Sequence, residues 1–380
     1  MKEPITILGA GIGGLSTALF MKQKNMDVHI YESAGMLRHT GAGILLANNA
    51  MQVLQLAGLK ESLQKKGHRI SCIKITDKTL KPLSVVDLKP YEKKYGVSNI
   101  AISRGMLLSE LAGQVGLNCI SFSKRLVHIE NSGQQVLHFE DYSTSNFSCL
   151  IASDGIHSIV RKKLFPSSLI RKAHQFCWRG ISNHSLPEQY HHTLHEAWGL
   201  EKRFGFVKLN DTQTYWYALV STYSSQHRHI HFPEIFKTFN PLVYEIIQST
   251  PHESIIVSDI LDLKPLSCWS EGNICLIGDA AHATTPNLGQ GACQAIEDAY
   301  TITCCLHSES SPERAFKKFQ NLRMKKANKV IRLSRSIGKI AHIDVPWIAH
   351  LRNFSMKYFS GLSSYKNMDK IFNVDYLRRL

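Results

Sequence analysis

The chain opens with ITILGAGIGGLSTALFM, residues 5–21, an apolar run interrupted by glycines at positions 9, 11, 13 and 14. The residues before the glycines read as a short buried strand. GGLSTALFMKQK after them reads as a helix, and DVHIYE as a second strand. The glycines Gly9, Gly11, Gly13 and Gly14 thus sit at a strand-to-helix turn in a β-α-β unit, the context that a GxGxxG spacing requires. Gly9 permits the tight turn, Gly11 lets main chain approach a pyrophosphate, and Gly14 lets helix pack closely on strand. The helix N-terminus offers unpaired N–H groups and the positive end of its dipole to phosphates. Glu32 ends the second strand, where an acid can bind ribose hydroxyls. Its charge disfavours a 2′-phosphate, which leaves NAD or FAD at this site.

The 380 residues are enough for one large domain or two intimate ones, and a hydrophobic fraction of 43% suits a globular protein. No apolar run reaches the length of a membrane span, and no small-residue cleavage site follows the opening stretch, so neither a spanning segment nor a signal peptide is expected. Nine cysteines are scattered without a CxxC pair, several inside strand-like runs such as CLIAS and ICLIG. They read as reduced core thiols in a cytoplasmic setting, without disulfides or a metal site. The net charge of +15 attracts anions. Its densest run, RMKKANKVIRLSRS at 323–336, reads as the solvated face of a helix. Ala315, Phe316, Phe319 and Leu322 form an apolar stripe for a helix over 311–336, with the lysines in water. No nucleic-acid motif and no metal-ligand spacing of histidines occurs.

Farther along, NNAMQVLQLAGL and SRGMLLSELAGQV read as helices, ISCIKIT and LSVVDL as strands, and SCLIASDG as a buried strand that breaks at Asp154-Gly155. From about 173 to 265 apolar and polar residues alternate and aromatics abound, which predicts an antiparallel sheet. GNICLIGDA then returns to a buried strand, and GQGACQAIEDAYTITCC is a helix. The expected architecture is α/β. A discontinuous Rossmann-like nucleotide domain spans 1–68, 97–168 and 269–335. An inserted antiparallel-sheet substrate domain spans 69–96 and 169–268, and a helical C-terminal segment 336–380.

Three separated signals, GAGIGG with Glu32, ASDGIHSIVR (152–161) and GDAAHATTPNLGQGACQAIEDA (278–299), together resemble the class A flavin monooxygenases of the p-hydroxybenzoate hydroxylase type. The resemblance extends to about residue 335. It implies non-covalent FAD, reduction by NADH or NADPH without a separate nicotinamide domain, and oxygen transfer to a small cyclic or aromatic substrate through a hydroperoxide at flavin C4a. By this resemblance Asp279 hydrogen-bonds the ribityl chain, and Gly289, Gly291 and Ala292 open a helix toward the flavin pyrimidine. Arg104 meets the FAD phosphates, and Gly43 and Leu126 touch FAD through main chain. Asp154, Ser158 and Arg161 fit a DGxxSxxR pattern, in which an Asp154–Arg161 pair braces the FAD site.

CWRGI (177–181) and EAWGLEKRFGFVKL (196–209) resemble segments of urate hydroxylase-like and epoxidase-like members. Where salicylate hydroxylase-like relatives carry a histidine that serves as phenol base, this chain has Arg203. An arginine cannot accept a proton at neutral pH. Arg203, directed at the flavin and the substrate, therefore favours an anionic or carbonyl-bearing substrate, with Arg179 a second candidate. Pro286 and Gln290 lie in the loop over the flavin's reactive face. Tyr217 can orient substrate, and Tyr215 shares its face. His282 reads as a packing residue rather than a base. Two other readings stay open: a flavin dehydrogenase or reductase on the same fold, and a non-enzymatic nucleic-acid or membrane binder suggested by the charge. The halogenase WxWxIP pattern is absent, and the sequence leaves the oligomeric state open.

Overall fold

A computed structural model describes residues 4–37, 42–131, 135–222, 232–359 and 368–380. Five short strands lie parallel in the spatial order Ile274–Leu276, Leu150–Ala152, Ile5–Leu8, Val28–Tyr31, Ile120–Ser121, with Ser270–Glu271 antiparallel at one edge. The central strands are almost continuously buried, as strands covered on both faces must be. The helix Ile12–Gln23 packs against Gly291–Ser308 and Arg104–Val115. Leu8 stands opposite both Tyr31 and Ala152, and Ala152 opposite Leu276. Gly9, Glu32, Ser153 and Ile277 therefore leave the sheet side by side. Motifs more than a hundred residues apart meet at its carboxyl edge, where open α/β sheets bind ligands.

The second large sheet has seven strands in the order Ile256–Leu263, Ile170–Ser182, Thr214–Ser221, Lys202–Lys208, Thr193–Trp198, Cys72–Asp77, Pro82–Asp87. Residues 72–87 thus join residues 170–263. All neighbours are antiparallel except Thr193–Trp198 with Cys72–Asp77, a parallel pair that departs from the purely antiparallel expectation. The departure arises because the last two strands arrive from a distant part of the chain. Alternation gives the sheet two characters. Phe204, Phe206 and Trp216 point into an aromatic cluster with Phe236 and Phe239, while Arg203, Val207, Tyr215 and Tyr217 point the other way, toward the parallel sheet's edge.

The C-terminal helix runs unbroken over Pro312–Ala341. Its buried stripe of Ala315, Phe316, Phe319, Ala327, Val330 and Ile331 continues to Gly338 and Ala341. The boundary expected at 335/336 therefore falls inside one element. The basic run is also not simply a solvated face. Lys325, Lys329 and Arg332 are exposed, but Arg323 and Lys326 pair with the buried carboxylates Glu297 and Asp298, and Arg335 with buried Asp262. A further helix, Pro346–Phe359, follows. All nine cysteines are free thiols. Among the described residues no helix is long and apolar enough to cross a membrane.

Candidate active site

A cavity of about 620 Å³ lies between the carboxyl edge of the parallel sheet and the seven-stranded sheet. Its floor is mostly main chain. Gly9 turns with φ +93°, a left-handed value that favours glycine, and a side chain at Gly14 would collide with the Gly9 carbonyl. Gly11 and Gly13 line the cavity. A Cβ on Gly11 would have no neighbour within 4 Å, so the main chain there is open to an incoming ligand. Two helix N-termini face this space uncapped by any side chain: Ile12–Gln23, without an acid in its first turn, and Gly291–Ser308. Gly289, in the left-handed region at φ +60°, turns the chain into the second of these, and Gly289, Gly291 and Ala292 line the cavity with Gly43 and Arg104.

Asp279, the first residue of a four-residue helix, is exposed and lines this cavity. Its side chain caps no N–H and has no hydrogen bond among the described residues, which sets aside an N-cap role. Although the side chain is exposed to the cavity, the protein atoms packed around it disfavour the charged form and raise its carboxyl above the ordinary range, with His282 and Arg104 pulling the other way. A partnerless carboxylate, an open glycine and two uncapped helix termini fit a ligand that carries hydroxyls, a pyrophosphate and an electron-accepting ring. FAD has these groups.

Some expected residues lie elsewhere. Glu32 does not line the cavity. Its carboxylate accepts the Ala10 and Ala34 N–H groups, both at 2.7 Å, and braces the glycine turn from below. Leu126 is buried in a small three-stranded sheet away from the cavity wall. Asp154 and Arg161 form no direct ion pair. Asp154 accepts the Ile159 N–H at 3.0 Å, and the fully buried Arg161 donates to the carbonyls of Ala280 and Ile156. The bracing of the floor thus runs from Arg161 to main chain beside Asp279. Gln290 touches the cavity, but its amide is bound to Asn49 and Gln294, not turned to a substrate. His282 is buried 2.5 Å from Asp298 and packs on Trp269.

That histidine belongs to a buried network which the sequence reading missed. Asp298 accepts from Gly278 N–H and Arg323, and Glu297 accepts from Arg323, Lys326, Asn49 and Tyr376. Burial alone would push both carboxyls up. The cations and hydrogen bonds around them prevail and hold both below their usual values.

The roof is made of side chains. Arg203 is 1% exposed and its guanidinium is engaged twice, by Glu196 at 2.9 Å and by Asn287 of the loop Pro286–Leu288. Glu196 also accepts the Trp198 indole N–H at 2.7 Å and the Tyr217 hydroxyl. Burial, with Glu196 adding to it, raises the Tyr217 phenol well above its usual value. Arg203 therefore reaches the cavity wall as expected, but with its charge compensated. Arg179 differs: it donates to Ser258 at 3.2 Å, its Nε has no partner, and no carboxylate pairs with it among the described residues. Close approaches seat the two tyrosines. A Cβ on Gly205 would overlap the Tyr217 ring, and one on Gly43 the Tyr215 ring. Asn287 and Glu196 were not singled out in the sequence, although both lie in segments that carry the resemblance.

A family model described as "FAD binding domain" matches residues 2–334. Among characterised proteins, the chain is 29% identical to aurachin C monooxygenase/isomerase of Stigmatella aurantiaca over 95% of this chain and 96% of that one. It is 26% identical to 2-heptyl-3-hydroxy-4(1H)-quinolone synthase of Pseudomonas aeruginosa over 97% of each. Among solved structures, HpxO of Klebsiella pneumoniae complexed with FAD and uric acid superposes with a TM-score of 0.88 at 22% identity, over 98% of this chain and 97% of that one. The floor's geometry and the match over most of its length agree: the chain belongs to the FAD binding domain family, and within it to the class A FAD-dependent monooxygenases.

Proposed function

We propose that the enzyme uses NADH or NADPH to oxygenate a carbonyl-bearing heteroaromatic ring of the 4-quinolone kind that carries an apolar substituent. The observation behind this reading is the segregation of the roof. At one end, Ile73, Ile75, Val86 and Leu194 are aliphatic. Toward the other, Arg179, Tyr215, Tyr217, Glu196 and Arg203 are polar. A ring with a polar carbonyl and N–H and an apolar tail matches that order, and the names of two relatives point to the same ring class.

Bound FAD supplies the electron transfer and oxygen activation. The chain's residues do the rest. Gly11, Gly13, the two helix termini, Asp279 and Arg104 would hold the cofactor. Glu32, which accepts three hydrogen bonds from Ala10, Ser33 and Ala34, acts on the site through the glycine turn that it braces. Uncapped N–H groups at Gly291 and Ala292 would favour negative charge on a cofactor ring held at this helix terminus. Arg179, the cation without a carboxylate, takes the substrate carbonyl or enolate oxygen. Arg203 locks the roof to the loop through Asn287 and shapes the pocket, and the aliphatic end excludes water. On this reading the flavin part comprises the parallel sheet with its helices, and the substrate part the seven-stranded sheet.

The test is NAD(P)H oxidation by the FAD-loaded enzyme with 2-alkyl-4-quinolones, urate and salicylate in parallel, under labelled O₂. Quinolone-stimulated oxidation with one labelled oxygen in the product is the expected result. Stimulation by urate or salicylate alone would overturn the substrate class. Oxidation without incorporation would favour a reductase.

A further inference from the structure

We propose that the outward face of the helix Pro346–Phe359 docks on an anionic lipid surface. Trp347, Leu351, Phe354 and Tyr358 recur at helical spacing and are 68%, 59%, 57% and 59% exposed. A surface helix ordinarily turns such a stripe inward, and a contiguous exposed apolar strip marks an interaction site. This stripe is not a core face left open, because the inner face is already occupied. Ala349 and Arg352 are buried, and Arg352 lies 5.1 Å from the Trp198 ring centre and donates to the carbonyls of Ile340 and Ala341.

Charge selects the occupant. Residues 312–380 hold 16 of the lysines and arginines against four acids, so most of the chain's +15 lies in this last segment. Lys339, His350 and Lys357 are exposed on or beside the helix, and Ile340 extends the apolar surface. A second copy would set two basic faces against each other, because a two-fold interface is self-complementary. An anionic bilayer answers both features. Aromatic rings settle at headgroup depth, aliphatic chains enter below them, and nearby cations meet the lipid charge. The contact is peripheral, since no described helix can span a bilayer. The helix also packs on strand Pro82–Asp87, which contributes Val86 to the cavity, so docking brings the aliphatic end of the site near the lipid.

The experiment is flotation of the FAD-loaded full chain with vesicles of phosphatidylcholine alone or with about 30 mol% phosphatidylglycerol. The expected result is partition onto the anionic vesicles that falls about 10-fold or more in the Leu351→Gln/Phe354→Gln variant, with flavin absorbance and NAD(P)H oxidation in solution unchanged. Equal partition of variant and parent, or no flotation at low salt, would overturn the proposal. So would a dimer that the same two substitutions abolish without any lipid binding.

Discussion

The floor of the cavity presents main chain from Gly11–Gly13, Gly278 and Gly289–Ala292, whereas the roof presents side chains from one face of seven strands. A floor made of N–H groups and helix ends suits the phosphates and ring that every FAD carries, and it tolerates little change because glycine and turn geometry make it. A roof made of alternating side chains can be respecified one residue at a time without moving the backbone. Arg203 and Arg179 show this within one surface. Both face the cavity, yet Glu196 compensates the charge of the first, while no carboxylate among the described residues pairs with the second.

If the floor is scaffold, removing what supports it should have the largest effect. Glu297→Gln leaves Arg323 and Lys326 without their shared carboxylate and should cost about 3–5 kcal/mol of stability at neutral pH. The sign with pH follows from depressed carboxyls. The network's contribution is complete above pH about 5 and is lost as pH falls below about 4. Thermal melts from pH 7 to 3.5 should therefore show a steep decline in the parent and a flatter one in the variant. Parallel curves would break the assignment.

Next in size, Gly11→Asp places bulk and negative charge in the open space where the proposed site would hold the cofactor's phosphates. It should weaken FAD binding about 100-fold, or roughly 2.7 kcal/mol, while circular dichroism of the apo chain stays unchanged. Asp279→Ala should sharpen the contrast by acting in opposite directions. FAD binding weakens, but the apo chain gains under ~1 kcal/mol, because a carboxylate with a raised pKa opposes folding once ionised and cavity water screens part of the effect. That gain is present above the raised folded value and vanishes as pH falls through the unfolded one. Apo melting curves and FAD titration read the two effects separately.

The roof should give smaller effects that leave the flavin bound. Arg179→Ala should raise KM about 10-fold, roughly 1.4 kcal/mol, with FAD content intact. Arg203→Ala leaves Glu196 uncompensated, and adding Glu196→Gln should restore much of the lost turnover. If Arg203→Ala alone raises KM and Arg179→Ala does not, the roles of the two arginines are reversed.

Local sequence by itself determined the floor. The tight turn at Gly9, the close packing at Gly14 and the buried strands ahead of Gly9, Asp154 and Asp279 are all consequences of nearest-neighbour chemistry, and they can be read in order along the chain. Aromatic alternation likewise announced a sheet between about 173 and 265, where the structure has strands over 170–263. Only the tertiary structure decided which charges are spent. Glu196 meets Arg203 because two strands pair in one register, and Asn287 meets it because a loop from another part of the chain closes beneath. Arg323 stood in a run that composition reads as solvated, yet helix packing buries it against Glu297 and Asp298. A charge's role depends on what it faces across space, and strand register and helix packing set those distances, not the spacing of residues along the chain.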